Sequence, residues 1–169
     1  MPSEMQKLRE QIEESKVAMM TTRRADGHLV SRAMANQKAA PGADLWFVTS
    51  AETHKLDELA RDPHVNLAYY KEGSREWISI SGLATVSHDR ATIETLYAKD
   101  WKVWFGEEGD PRHGTAADPR IVLIGVEIHS AVFLEVDKPR PVILFELVKG
   151  MVTGERAEMG EMHFVKPKG

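Results

Sequence analysis

Apolar residues along this chain change their spacing several times, and each change marks an element. Over residues 3–15, Met5, Leu8 and Ile12 recur at three- and four-residue intervals behind Ser3, which predicts a short capped amphipathic helix. The period then shortens. Val17–Arg23, His28–Ala35 and Asp44–Thr49 are runs bounded by Ala25-Asp26-Gly27 and Ala40-Pro41-Gly42, and read as strands joined by turns. Asp26-Gly27 suits a tight hairpin, because glycine tolerates the positive φ such turns demand. Thr53–Arg61 predicts a helix with Leu56, Leu59 and Ala60 facing inward. His64–Lys71 and Arg75–His88 predict strands. In the second, Ile78, Ile80, Ala84 and Val86 share one face while Trp77, Ser79, Ser81 and Thr85 share the other. Gly82 in its middle predicts a bulge or a close backbone approach.

Asp89–Lys99 reads as a helix with Ile93, Leu96 and Tyr97 on one side. Residues 100–118 hold two tryptophans, then Gly106, Gly109, Pro111 and Gly114, and read as a long loop with a functional or partner-contacting role. Arg120–His129 and Ala131–Val136 predict strands. Pro139 and Pro141 precede a short helix over 142–149, and the final stretch is polar and contains methionine. The count is about seven strands with two to four short helices, without a regular βαβ repeat. That pattern predicts a mainly-β fold, an antiparallel barrel with peripheral helices. Residues 1–150 form this domain with its N-terminal helix, and 151–169 a C-terminal tail that is a candidate partner contact.

Composition narrows the class. The 169 residues fit one domain, 42% hydrophobic and 28% charged, close to the globular average. No stretch approaches the ~18 apolar residues of a membrane span. The charged N-terminal residues read as neither a signal nor a transit peptide. A formal charge of −4 argues against a nucleic-acid coat. There is no cysteine, which removes disulfides, thiol nucleophiles and zinc-thiolate sites and fits a reducing, cytoplasmic setting. The seven histidines are scattered without i, i+4 ligand spacing, so no metal site is expected. No dinucleotide fingerprint, P-loop, nucleophile elbow or zinc-protease motif occurs.

Two arrangements carry chemistry. In Val30-Ser31-Arg32-Ala33-Met34, alternation puts Arg32 on the face of Val30 and Met34. A guanidinium on an apolar face needs an anionic partner, either a glutamate at the barrel mouth or a ligand. In Trp46-Phe47-Val48-Thr49-Ser50-Ala51-Glu52-Thr53-His54-Lys55, a buried strand runs into hydroxyls and a helix start bearing a lysine. That is the chemistry of a phosphate site, or of an ordinary cap beside a solvated lysine.

Ser31-Arg32-Ala33-Met34, Phe47-x-Thr49-Ser50-x-x-Thr53-His54-Lys55 and the strand Glu76-Trp77-Ile78-Ser79-Ile80-Ser81-Gly82 together resemble the pyridoxamine 5′-phosphate oxidase-like split-barrel flavoproteins. The likeness runs from about residue 8 to 136. The segment Ile80–Val86 and the Trp101…Trp104-Phe105…Gly109-Asp110-Pro111 loop look closest to the general stress protein 26 branch. The resemblance implies a six-stranded antiparallel FMN-binding split barrel and a homodimer with FMN at the interface. It further implies that Arg32 and Lys55 pair with the phosphate and that Thr53 and His54 hydrogen-bond it. His54 stands in place of the family's usual arginine. Ala33, Met34, Val48 and Thr49 would lie along the ribityl and isoalloxazine. Trp77 would stack on or edge the ring, or pack in the dimer core. Trp104 would form a lid.

No C-terminal Arg-x-His element is present, which argues against vitamin B6 oxidation. No side chain announces itself as a catalytic acid or base. The function implied is flavin-dependent redox of an unidentified small molecule. The alternatives are a non-catalytic flavin-binding stress protein, acting as reservoir or redox sensor, and the same barrel holding F420 or haem.

Overall fold

The computed structural model describes residues 1–105 and 114–166; Gly106, Gly109, Asp110 and Pro111 of the expected loop lie outside them. Helix α1 (Glu4–Ser15) opens with a capping box in which the Ser3 hydroxyl accepts from Gln6 N and the Gln6 side chain accepts from Ser3 N. Its apolar stripe buries Leu8 and Ile12 against the barrel. Strands β1 (Val17–Arg23), β2 (Leu29–Ala35), β3 (Leu45–Ser50), β4 (His64–Lys71), β5 (Glu76–Ser87) and β6 (Ile121–Glu135) form one antiparallel path in the order β2-β1-β4-β5-β6-β3. A further strand, β7 (Glu161–Val165), pairs with the second half of β6. Helices α2 (Lys55–Arg61), α3 (Arg90–Leu96) and α4 (Arg140–Thr153) lie outside the sheet.

Period-two alternation fills the barrel. Ala18 and Met20 of β1, Val65, Leu67 and Tyr69 of β4, Ile78 and Ile80 of β5 and Phe133 of β6 point into a single core. The first half of β6 departs from alternation: residues Ile121 to Val126 are all buried. That half is covered on both faces, inside by the barrel core and outside by a second cluster of Trp46, Ile93, Leu96, Trp101 and Phe105. The tryptophan pair of the expected loop therefore divides. Trp101 is buried with Nε1 donating to the Gln37 side chain, in a short 3-10 segment (Lys99–Trp104), whereas Trp104 is exposed.

Two runs read separately, 120–129 and 131–136, are one strand. Its register slips opposite Ser81 and Gly82, where Ser81 pairs Ser130 but Gly82 pairs Ile128. Gly82 serves both of the uses anticipated for it, since a Cβ there would lie 2.5 Å from the Glu127 carbonyl oxygen. Residues 161–165 add a strand to the sheet against the second half of β6. The helix expected over 142–149 is longer, spanning Arg140–Thr153 with Gly154 at positive φ closing it.

The chain's two ends are latched together. His163 of β7 is buried and stacks on Phe133, its Nδ1 2.7 Å from the Glu4 carboxylate and its Nε2 2.9 Å from that of Glu135. Lys7 Nζ completes the group, 2.7 Å from Glu135.

Gly82→Ala drives a methyl into backbone that cannot retreat without breaking the bulge. It is expected to cost about 1–3 kcal/mol, read as a lower urea midpoint at unchanged slope.

Candidate functional site

Strands β2 and β3 end the sheet path and pair with each other nowhere in the ladder. A single backbone bond crosses just beyond β2, from Gln37 N to the Trp46 carbonyl. The resulting seam holds two cavities that share Ala35. One, of about 340 Å³, is lined by Ala33, Met34, Val48, Thr49, Thr53 and Lys55, with Trp104 and Phe105 at its rim. The other, of about 380 Å³, lies between α1 and the 36–46 segment against Trp46, Val17 and Ile128. Both fall within the usual size of small-molecule sites.

The charges beside the first cavity are arranged unevenly. Arg32 projects inward as its strand face requires, and two parallel hydrogen bonds of 2.9 Å run from its guanidinium to the Glu58 carboxylate. Arg32 also donates to the Thr22 hydroxyl at 2.8 Å, and that hydroxyl donates to Glu58 at 2.6 Å. Glu58 and Thr22 are buried, so the group is a satisfied network. Arg32, by donating to Glu58, holds that carboxyl below the usual carboxylate range, with Thr22 adding to the effect against burial.

Lys55 differs. Its ammonium donates to the Thr49 hydroxyl at 2.8 Å, and among the described residues no carboxylate lies within ion-pair distance. Burial pushes the Lys55 pKa down from its ordinary value. The nearby Arg32 charge pushes the same way, and Glu58 opposes both. Thr53 turns its hydroxyl to the Ser50 carbonyl, 3.5 Å from that of Thr49. A half-buried cation, clustered hydroxyls and a vacant apolar wall suit an anionic head attached to a planar or aliphatic body.

Residues 3–158 match the family described as "Pyridoxamine 5′-phosphate oxidase like". The chain belongs to that family. It is 34% identical to protein bli-3 of Neurospora crassa over 151 residues, 88% of this chain and 72% of that protein. Among solved structures it resembles a general stress protein 26 from Jannaschia sp. CCS1, with a TM-score of 0.69 at 23% identity over 93% of this chain and 94% of the other. It also resembles a pyridoxamine 5′-phosphate oxidase-related, FMN-binding protein from Nostoc punctiforme PCC 73102. There the TM-score is 0.59 at 15% identity, over 95% of this chain and 91% of the other. The barrel is thus the split barrel of the oxidase-like family.

Of the residues singled out in this oxidase-like sequence, the fold brings Ala33, Met34, Val48, Thr49, Thr53, Lys55 and Trp104 to one cavity. Arg32 stands behind that wall on Glu58 instead of lining it. His54 does not join: its ring is 97% exposed, because the residue before Lys55 sits on the outer turn of the chain. Trp77 does not join either. It lies on β5 opposite Tyr70 and Leu134, away from the seam. Glu58 and Thr22 were not legible as site residues, since a glutamate on a helix and a threonine on a strand look solvated until the chain closes. The only signal was Arg32's own need for a carboxylate.

Glu58 ionises below its unfolded value, so its stabilising effect is complete above that value and fades as the pH falls through the folded one. Glu58→Gln is expected to cost about 1–3 kcal/mol near pH 7. The difference from the unaltered chain should shrink below about pH 4.5, as measured by urea unfolding across pH.

Proposed function

We propose that this chain is a cytoplasmic, homodimeric FMN-binding protein that carries out flavin-dependent redox on a small molecule. One observation carries the reading: Lys55 is a half-buried ammonium that meets no carboxylate among the described residues, set among Thr49, Ser50 and Thr53 at the end of an apolar cavity. Desolvating an ammonium costs free energy that an incoming phosphoryl group returns as a charge-assisted hydrogen bond.

In this assignment Lys55, Thr49 and Thr53 hold the phosphate. Arg32 adds long-range positive charge and its remaining N–H groups from behind. Ala33, Met34 and Val48 offer strand-edge backbone and small side chains along the ribityl and ring, and Trp104 covers the mouth. His54 and Trp77 of the same chain take no part in the pocket. The flavin supplies two-electron redox chemistry when bound, and the protein's share is to bind, orient and shield it. The family match and the FMN-binding description of the Nostoc punctiforme relative support this choice of cofactor.

Titration of the purified chain with FMN is expected to show one site per chain. Lys55→Ala should weaken FMN by about 10- to 100-fold, the loss of one charge-assisted hydrogen bond, and leave riboflavin, which lacks the phosphate, nearly unchanged. Equal loss for both ligands would remove the phosphate from Lys55.

Because burial lowers the Lys55 pKa, its proton leaves at a lower pH than that of an ordinary lysine. FMN affinity should therefore fall as the solution is made alkaline, before surface lysines titrate, and Lys55→Arg should abolish that fall. Bleaching of bound flavin by NADH or NADPH separates an oxidoreductase from a flavin carrier: a yellow protein that no pyridine nucleotide reduces favours the carrier.

A further inference from the structure

The larger of the two cavities at the seam lies where α1 gives way to β1, apart from Lys55. Struts hold it open. The Arg9 guanidinium donates to the Asp44 carboxylate at 2.9 Å, and that carboxylate is fixed in turn by accepting from Ile128 N at 2.9 Å. Asn36 ties down the end of the helix. Its backbone N donates to the Lys16 carbonyl at 2.8 Å and its side-chain amide to the Ile12 carbonyl at 3.1 Å, while its side-chain oxygen accepts from the Tyr69 hydroxyl at 2.8 Å. Helix α1 therefore cannot settle onto the 36–46 segment. The space of about 380 Å³ between them is preformed, so a ligand entering it meets little ordering cost.

Its walls and its rim differ in character. Ile12, Val17, Leu45, Trp46 and Ile128 make apolar walls. The Trp46 ring lies against Gly42 and Gly125, and its Nε1 donates to the Ala40 carbonyl at 3.0 Å, which fixes the indole in place. The rim is charged, with Arg9, Glu13, Lys16, Lys38 and Asp44. Arg9 and Asp44 neutralise each other. The side chains of Lys16, Lys38 and Glu13 make no ion pair or hydrogen bond among the described residues. The rim thus holds one positive charge in excess, carried by two ammonium groups whose contacts are still to be made.

Lys16 also stands at a costly backbone position. It closes α1 at φ 58° and ψ −39°, in the region where glycine is the ordinary occupant and a side chain is strained. A glycine would end the helix without that strain. The attraction between an exposed lysine and the carbonyl end of a helix is smaller than the usual cost of such a conformation. What the lysine adds is an ammonium at the rim of the cavity.

We propose that this cavity binds a small organic acid, its apolar body against Trp46 and its single carboxylate between Lys16 and Lys38. At about 30 Å³ of liquid per water the space holds roughly a dozen waters, which sets the size of the acid at about a dozen non-hydrogen atoms. Apolar walls favour exchanging that water for hydrocarbon. One negative charge matches the excess at the rim. A cation would find Glu13 but leave both lysines unanswered, and a dianion would exceed what the rim can neutralise. The two cavities meet at Ala35, so the acid lies beside whatever fills the first without competing for Lys55. The assignment stands whichever ligand the Lys55 cavity takes.

Isothermal titration of the unaltered chain with phenylbutyrate, octanoate and naphthoate tests this. At least one acid is expected to bind at one site per chain, and failure of all three at millimolar concentration overturns the proposal. Phenylbutyramide has the shape of phenylbutyrate without its charge and should bind about tenfold more weakly, with phenylbutylamine weaker still. An amide or amine that binds as well as the acid overturns the assignment of a carboxylate. Lys16→Met and Lys38→Met should each weaken the acid by up to about fivefold, the range of an exposed ion pair, and spare the amide. Lys16→Gly should weaken the acid as much yet raise the thermal midpoint by about 2–4 °C, since the strain leaves with the side chain. Unchanged acid affinity in that variant overturns the part given to Lys16. Val17 is 48% exposed, so Val17→Trp should fold and, by filling the cavity, abolish binding of acid and amide alike. Binding that survives it, or that falls with Lys55→Ala instead, places the acid elsewhere and overturns the proposal. A failed FMN titration leaves these outcomes untouched, because none of them needs a flavin.

Discussion

Strands β2 and β3 face each other without a ladder, and the arrangement of the site follows from that gap. Each is paired on one side only, β2 by β1 and β3 by β6. Their inner edges therefore carry backbone donors and acceptors that must find water, ligand or side chain. A fully paired barrel of this size would be filled by its own side chains. Here the unpaired edges border two cavities joined at Ala35, and β3 is a rigid wall because β6 behind it is buried on both faces. A cleft between strand edges fixes hydrogen-bonding groups at regular spacing, which a loop cannot do as rigidly.

The three charges beside the cleft have unequal tasks. Glu58 holds Arg32 through a bidentate bond and offsets part of the repulsion between Arg32 and Lys55. What remains is Lys55. At a separation of about 4 Å an anion gains about 1 kcal/mol from an ammonium in bulk water and about 4 kcal/mol at the effective dielectric of a protein surface. Half-burial of Lys55 moves it toward the second figure, whereas His54 lies out in solvent. The same burial lowers the lysine's pKa, so the feature that makes it a strong anchor also makes it titratable. An arginine in the place of His54 would have added a permanent charge on the outer turn. With histidine there, the inner lysine is the cation that faces the cavity.

Much of the fold was legible because strands that bury one face write a period of two, as β1, β4 and β5 do. Gly82 was legible because a glycine inside such a run has few uses. Arg32's strand face was legible, and so was its need for an anion; which anion was not, because Glu58 is 26 positions away and is brought there only by closure of the chain over Thr22. Trp101 and Phe105 carried an i, i+4 spacing, but the glycines and prolines after them made the region read as loop. Trp77 fits a flavin contact by motif position, yet pleating sets it among Tyr70 and Leu134 on the outside of the barrel. Motif spacing locates a residue along the strand; the pleat decides which side it serves.

Strand β7 also places large apolar side chains on that outside. Its alternation is inverted: His163 and Val165 point inward, while Met162 and Phe164 point out. For a strand facing water this wastes about 1.5–3 kcal/mol for each large apolar side chain left uncovered. The inward histidine also needs an elaborate setting, with Phe133 on its ring face and the carboxylates of Glu4 and Glu135 at its two nitrogens. Sliding the strand by one residue would bury Met162 and Phe164 and release the histidine, and nothing in the ladder alone forbids it. The latch to α1 holds the register against that slip. The cluster around His163 thus keeps a methionine and a phenylalanine on the outer face of the sheet. The segment 161–165 is held to its own barrel by the β6 ladder and by this latch.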